Sequence, residues 1–76
     1  MKELITFIAE KLVDKPEDVD VTCRDEDDSI TIELRVAKED LGKVIGKQGR
    51  TARAMRTVLA TAASRSGKRS RLEILE

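Results

Sequence analysis

The residues best placed to do chemistry are Gly46-Lys47-Gln48-Gly49, preceded by Val44-Ile45 and followed by Arg50. Two glycines bracketing two polar residues permit a sharp turn between helices, because glycine takes positive φ at no steric cost and lets another backbone come close. If a helix opens at Arg50, its free N–H groups and its dipole attract an anion, and Lys47 and Arg50 add formal charge beside it. The anion that suits such a turn is a phosphate chain lying against it. Val44 and Ile45 supply an apolar wall for bases. Lys43 and Arg53 extend the basic set on either side, although the spacing leaves the direction of Arg53 and Arg56 open.

The charge of the whole chain supports a polyanion-facing half. Residues 1 to 41 carry six Lys/Arg and thirteen Asp/Glu, a balance of −7, whereas residues 42 to 76 carry nine and two, a balance of +7. From Gly42 through Arg71 there are nine basic residues and no acid. A net charge of zero therefore conceals two oppositely charged halves. The competing explanation is a solvated basic helix face that partly neutralises the acidic half after folding.

Other chemistries fail on residue type or spacing. A P-loop needs four residues between its first glycine and Gly-Lys, but Gly42 and Gly46 enclose three, and Gln48 stands where a hydroxyl is required. The chain has no His, Trp or Tyr and one Cys, and its acids cluster in one run, so neither a general acid–base pair nor a nucleophilic triad can be assembled and no enzyme is expected. Cys23 alone forms no disulfide or multi-cysteine metal site and reads as a small hydrophobe on a strand. Asp25-Glu26-Asp27-Asp28 lacks the spaced ligands of a calcium loop and reads as a solvated hairpin turn. With Phe7 as the only aromatic, recognition of bases on aromatic platforms is excluded. No cofactor is implied. The apolar runs are far shorter than the roughly 20 residues of a membrane span, and Met1-Lys2-Glu3-Leu4 lacks the layout of a secretory signal, so a cytoplasmic protein with no membrane partner is expected.

Six elements must position the turn, all within one domain over residues 1–76. Leu4, Ile5, Ile8 and Leu12 fall at helical spacing, predicting an amphipathic helix from Lys2 to about Val13 that ends before Lys15-Pro16, with Phe7 at the edge of its stripe. Val19, Val21 and Cys23 alternate with polar residues as a half-buried strand. In Ser29 to Val36, Ile30, Ile32, Leu34 and Val36 share one face of a second strand, opposite Thr31, Glu33 and Arg35. Leu41, Val44 and Ile45 suit a short helix stopped by Gly46, with Glu39 and Asp40 near its positive end. A longer helix runs from Arg50 to about Ser64 on Ala52, Met55, Leu59 and Ala62 or Ala63, and Arg69 to Leu75 form a third strand. The order α-β-β-α-α-β is an α+β layer in which the helices cover one face of a three-stranded sheet.

The run Val44 to Gly49 resembles the V-I-G-x-x-G signature of KH domains, and the element order resembles their type II, bacterial arrangement. Over essentially all 76 residues the chain is similar to the small bacterial single-KH RNA-binding proteins of the KhpA type, through Gly42-Lys43-Val44-Ile45-Gly46-Lys47-Gln48-Gly49-Arg50-Thr51. The resemblance implies a non-catalytic binder of single-stranded RNA, an RNA chaperone or post-transcriptional regulator. The loop would clamp the backbone of about four nucleotides, with their bases in an adjacent apolar groove. It assigns Gly46, Lys47, Gln48 and Gly49 to the clamp and Val44 and Ile45 to the groove side. It also implies a homodimer, or a heterodimer with a second KH-type RNA-binding protein, which we place on or near the helix from Arg50 to Ser64. The alternative is a KH fold serving only as a protein-interaction or dimerisation subunit. One departure from the family pattern is Ala52, where many KH domains carry a bulky aliphatic, and it bears on the depth of the groove.

Overall fold

The computed structural model describes residues Met1–Leu75. Helix α1 spans Lys2–Leu12. It stops because Val13 turns to extended backbone (φ −98°, ψ 159°) ahead of Pro16, which opens a short 3₁₀ turn at Pro16–Asp18. Ile5 and Ala9 are buried, with Ile8 packed beside them. Leu4, expected in that stripe, is 40% exposed, and Phe7 is 59% exposed. The apolar arc of α1 is thus wider than the face its sheet can cover.

Strands β1 (Asp20–Asp25) and β2 (Ser29–Arg35) form an antiparallel hairpin around the acidic turn, in the register Val21↔Leu34 and Cys23↔Ile32. Val21 is buried, but Cys23 on the same face is exposed. The expected alternation of Val19, Val21 and Cys23 therefore holds for Val19, which packs on the core just before β1, and for Val21, and fails at Cys23. β1 is an edge strand, and nothing covers it at Cys23.

After β2, a 3₁₀ turn at Lys38–Asp40 leads into α2 (Leu41–Ile45), and a second at Lys47–Gly49 leads into α3 (Arg50–Ser64). The chain returns as β3 (Arg69–Leu75), which pairs parallel to β2 from Ser29↔Arg69 to Arg35↔Leu75. The sheet order is β1-β2-β3, so β3 is the other edge. Ile30, Ile32, Leu34 and Leu72 turn toward the helices and meet Ile5, Ala9, Val44, Met55, Leu59 and Ala63 in one core. The expected α+β arrangement, with helices on one face of three strands, is the one observed.

Candidate nucleic-acid interface

The loop between α2 and α3 owes its shape to three residues in the left-handed half of backbone space. Gly46 has φ +77° and ψ 170°, Gln48 φ +57° and ψ 26°, and Gly49 φ +73° and ψ 14°. Only glycine takes the first of these readily; a Cβ at Gly46 would stand 2.2 Å from Thr51 Oγ1 and 2.8 Å from Thr51 N, inside the first turn of α3. Gln48 is the one residue other than glycine with positive φ among the described residues, a strained conformation of the kind that collects at binding loops. The Gly46 N–H returns to the Gly42 carbonyl at 2.9 Å and the Gly49 N–H to the Gly46 carbonyl at 3.1 Å, closing the turn from both sides.

Lys47 and Gln48 are exposed, and the Arg50 guanidinium donates to Gln48 Oε1 at 3.3 Å, so the three polar side chains crowd the mouth of α3. Gly49, the N-cap of α3, carries no capping side chain; the Arg50 N–H returns to the Lys47 carbonyl, and the positive end of this 15-residue helix's dipole opens at the turn. Arg53 and Arg56 are both exposed on its following turns.

The structure divides the other expected contacts. Ile45 is 38% exposed beside the loop, but Val44 is fully buried in the core, so it can only support a groove from beneath. Neighbouring residues of a helix lie about 100° apart, and α2 is turned so that Val44 enters the core while Ile45 faces out. Lys43 is held on the side away from the loop's mouth by acids: its ammonium donates to Asp14 Oδ2 at 2.5 Å and lies 3.6 Å from Asp40 Oδ1. Asp14 and Asp40 raise its pKa above the ordinary lysine value.

Asp40 has a role that its position near a helix start did not disclose. The side chain is buried, and its carboxylate accepts the backbone N–H of Asp14 at 3.2 Å and of Lys15 at 3.0 Å. Burial alone would push this carboxyl up, but the two N–H bonds and Lys43 outweigh it and hold the pKa below the usual aspartate value. Lys15 and Glu39 pair alongside at 2.6 Å. The segment after α1 is thereby tied to the base of α2, on which the glycine loop stands.

A cleft open to solvent runs along α3. Arg56, Leu59 and Ala60 of α3 face Ser70, Arg71 and Leu72 of β3 across a cleft of about 340 Å³. Because β3 is an edge, its outward N–H and C=O groups are available to a ligand lying there. The sequence pattern did not disclose this wall, since edge status follows from the parallel pairing of β2 with β3. Ala52 is buried beneath the start of α3. Among the described residues no helix is long and apolar enough to cross a membrane.

The chain was compared with known proteins. The chain is 53% identical over 76 residues to the RNA-binding protein KhpA of Listeria monocytogenes, covering all of both chains. It is 55% identical over 75 residues to that of Clostridium perfringens, covering 99% of this chain and all of the relative. To the protein of the same name from Chlamydia trachomatis it is 49% identical over 76 residues, covering all of this chain and 97% of the relative. No solved structure matches it at a significant level. A family model described as KhpA/KhpB, KH domain spans residues 2–74, from the first residue of α1 to the next-to-last of β3, and the chain belongs to that family.

Proposed function

We propose that the protein is a non-catalytic binder of single-stranded RNA, acting in the cytoplasm as a chaperone or regulator of transcripts. In this reading Gly46, Lys47, Gln48 and Gly49 clamp the phosphate backbone at the positive end of the α3 dipole. Arg50 and Arg53 add charge, and Ile45 and the cleft between α3 and β3 receive the bases. Lys43 contributes less, since Asp14 and Asp40 neutralise it. The observation that carries the reading is the positive-φ glycine loop delivering an uncapped, basic helix start beside an open strand edge. That the relatives are named RNA-binding proteins supports it.

The test is the pair Lys47→Asp with Gln48→Asp. Both side chains are exposed, so circular dichroism should show an intact fold while a gel shift shows RNA binding abolished. A folded double variant that binds as tightly as the parent would remove the loop from the mechanism.

The same reading includes pairing with a second copy of the chain. A site for about four nucleotides without aromatic stacking binds weakly alone, and joining two sites raises avidity about 10²-fold or more. Of the alanines in the second half of α3, Ala63 is buried and Ala60 faces the cleft. The available surface is instead a shallow apolar depression formed by Leu4 of α1 with Val58, Thr61 and Ala62 of α3. Leu4 and Val58, each 40% exposed, give it the character of an interface core.

A further inference from the structure

The outer face of the sheet, opposite the helices, carries a concave basic site that the loop mechanism does not use. Register places Arg24 of β1, Thr31 of β2 and Arg71 of β3 side by side in one cross-strand row, with Ser29 and Arg69 forming the next row toward the hairpin end. These residues, with Glu26 and Ser70, line a depression of about 530 Å³. Thr31 forms its floor and is only 8% exposed, although no helix covers this face. It lies between the two arginines, whose stems can shield it.

Among the described residues, Arg69 and Arg71 have no acidic partner, and the hydroxyls of Ser29, Thr31 and Ser70 have no hydrogen-bond partner. Arg24 lies 3.6 Å from Glu33 in an exposed pair, a contact that leaves most of its donors available. Glu33 and Glu73 face each other in the next row toward the far end, so the basic site is bounded there. Of the hairpin acids, Asp25 is neutralised by Lys68, while Glu26 stands at the rim.

Ser70 and Arg71 line both this depression and the cleft between α3 and β3. The two hollows are therefore continuous around the free edge of β3. α3 is 15 residues long, about 22 Å, with the glycine loop at its start and this end of β3 beyond its finish. A strand clamped at Gly46–Gly49 and laid along α3 is delivered to the outer site.

We propose that Arg24, Arg69 and Arg71 form a second phosphate site, which takes the backbone of the same RNA beyond the nucleotides held by the glycine loop. Planar guanidinium groups with free hydroxyls beside them suit a phosphodiester. The proposal rests on the function proposed above.

Its test is Arg24→Gln with Arg69→Gln, titrated with a four-nucleotide and a sixteen-nucleotide oligouridylate over a range of salt. Each lost phosphate contact should make the slope of log K against log salt about 0.7 less steep, about 1.4 for the pair, which is about 25-fold in affinity at 0.1 M salt. The expected result is that loss on the longer RNA, with the four-nucleotide affinity unchanged, while Arg24→Lys with Arg69→Lys keeps the parent's salt slope because the charge is kept, at a lower affinity because the planar guanidinium is lost. Unchanged binding of the longer RNA, or equal loss on both lengths in a folded variant, overturns the proposal. The loop variant Lys47→Asp with Gln48→Asp reads the underlying function separately: if it still binds both RNAs, the loop mechanism fails whatever the arginines do.

Discussion

Replacing each loop-region glycine by alanine tests the geometry on which the site depends, because Gly42, Gly46 and Gly49 meet three different surroundings. At Gly46 (φ +77°, ψ 170°) a side chain is strained by about 1–3 kcal/mol before any contact is considered. The added methyl would also lie 2.2 Å from Thr51 Oγ1, 2.7 Å from Thr51 Cβ and 2.8 Å from Thr51 N. The hydroxyl can rotate away, but Cβ and N move only if the first turn of α3 moves, an overpacking cost of about 1–3 kcal/mol. The total, about 4 kcal/mol, is a large part of the roughly 4–11 kcal/mol that stabilises a domain of this size. At about 4–8 °C per kcal/mol, Gly46→Ala should lower Tm by about 15–30 °C.

Gly49 has φ +73° but open space where its Cβ would be, so alanine there should cost only about 1–2 kcal/mol. Gly42 lies in α2 with nothing within 4 Å, and alanine there should stabilise by about 0.5–1 kcal/mol. Thermal and urea denaturation followed by circular dichroism would rank the three. If Gly46→Ala costs no more than Gly49→Ala, the packing of the turn against Thr51 is wrong. Gly49→Ala should also weaken RNA binding while remaining folded, since its methyl projects where a phosphate would approach.

Asp40 should shape the acid limb of stability. Its folded pKa is depressed, so its contribution is present above the unfolded value of about 3.9 and is lost as pH falls through the folded value. Asp40→Asn should lower the urea midpoint at pH 7 and flatten its decline toward pH 2, and an unchanged acid dependence would contradict the assignment. On a four-nucleotide RNA, neutralising about three phosphates should give a salt slope near −2, whereas a slope near zero would favour a purely protein-binding role. Light scattering at micromolar concentration should report a dimer for the parent and a monomer for Val58→Asp, with the gain in affinity on a twenty-nucleotide RNA lost in the variant. A parent that is a strict monomer would refute the pairing, and self-association only with another KH subunit would replace the second copy by that partner.

How much of this was legible in the sequence depended on the range of the interaction. The span of α3 followed from the Ala52, Met55, Leu59 and Ala63 spacing and from Gly49, all local signals. The strands followed from alternation in the same way. Asp40 stands at the start of α2 as its spacing predicts, but the partners of its carboxylate are backbone N–H groups 25 and 26 residues away, which leave no periodic trace. Alternation places Cys23 on the same face as Val21 but does not say whether anything covers it, and Cys23 is exposed. Val44 and Ile45 were grouped by a shared motif, and only the orientation of α2 separates the core residue from the exposed one. The cleft and the outer basic face could not be read at all, since both arise from the pairing of β2 with a strand forty residues later.

That pairing also bears on when the protein becomes competent during synthesis. β2, α2 and α3 precede β3 in the chain, and the glycine loop lies inside the long connection that β3 closes. A nascent chain that has exposed Lys47 and Arg50 but not residues 69–75 has its basic helix without one wall of the cleft and without the strand that completes the sheet. Such a chain offers RNA a diffuse positive charge and no shaped site. The wall of the cleft therefore comes into being only when residues 69–75 have paired with β2, across a connection that already holds the glycine loop.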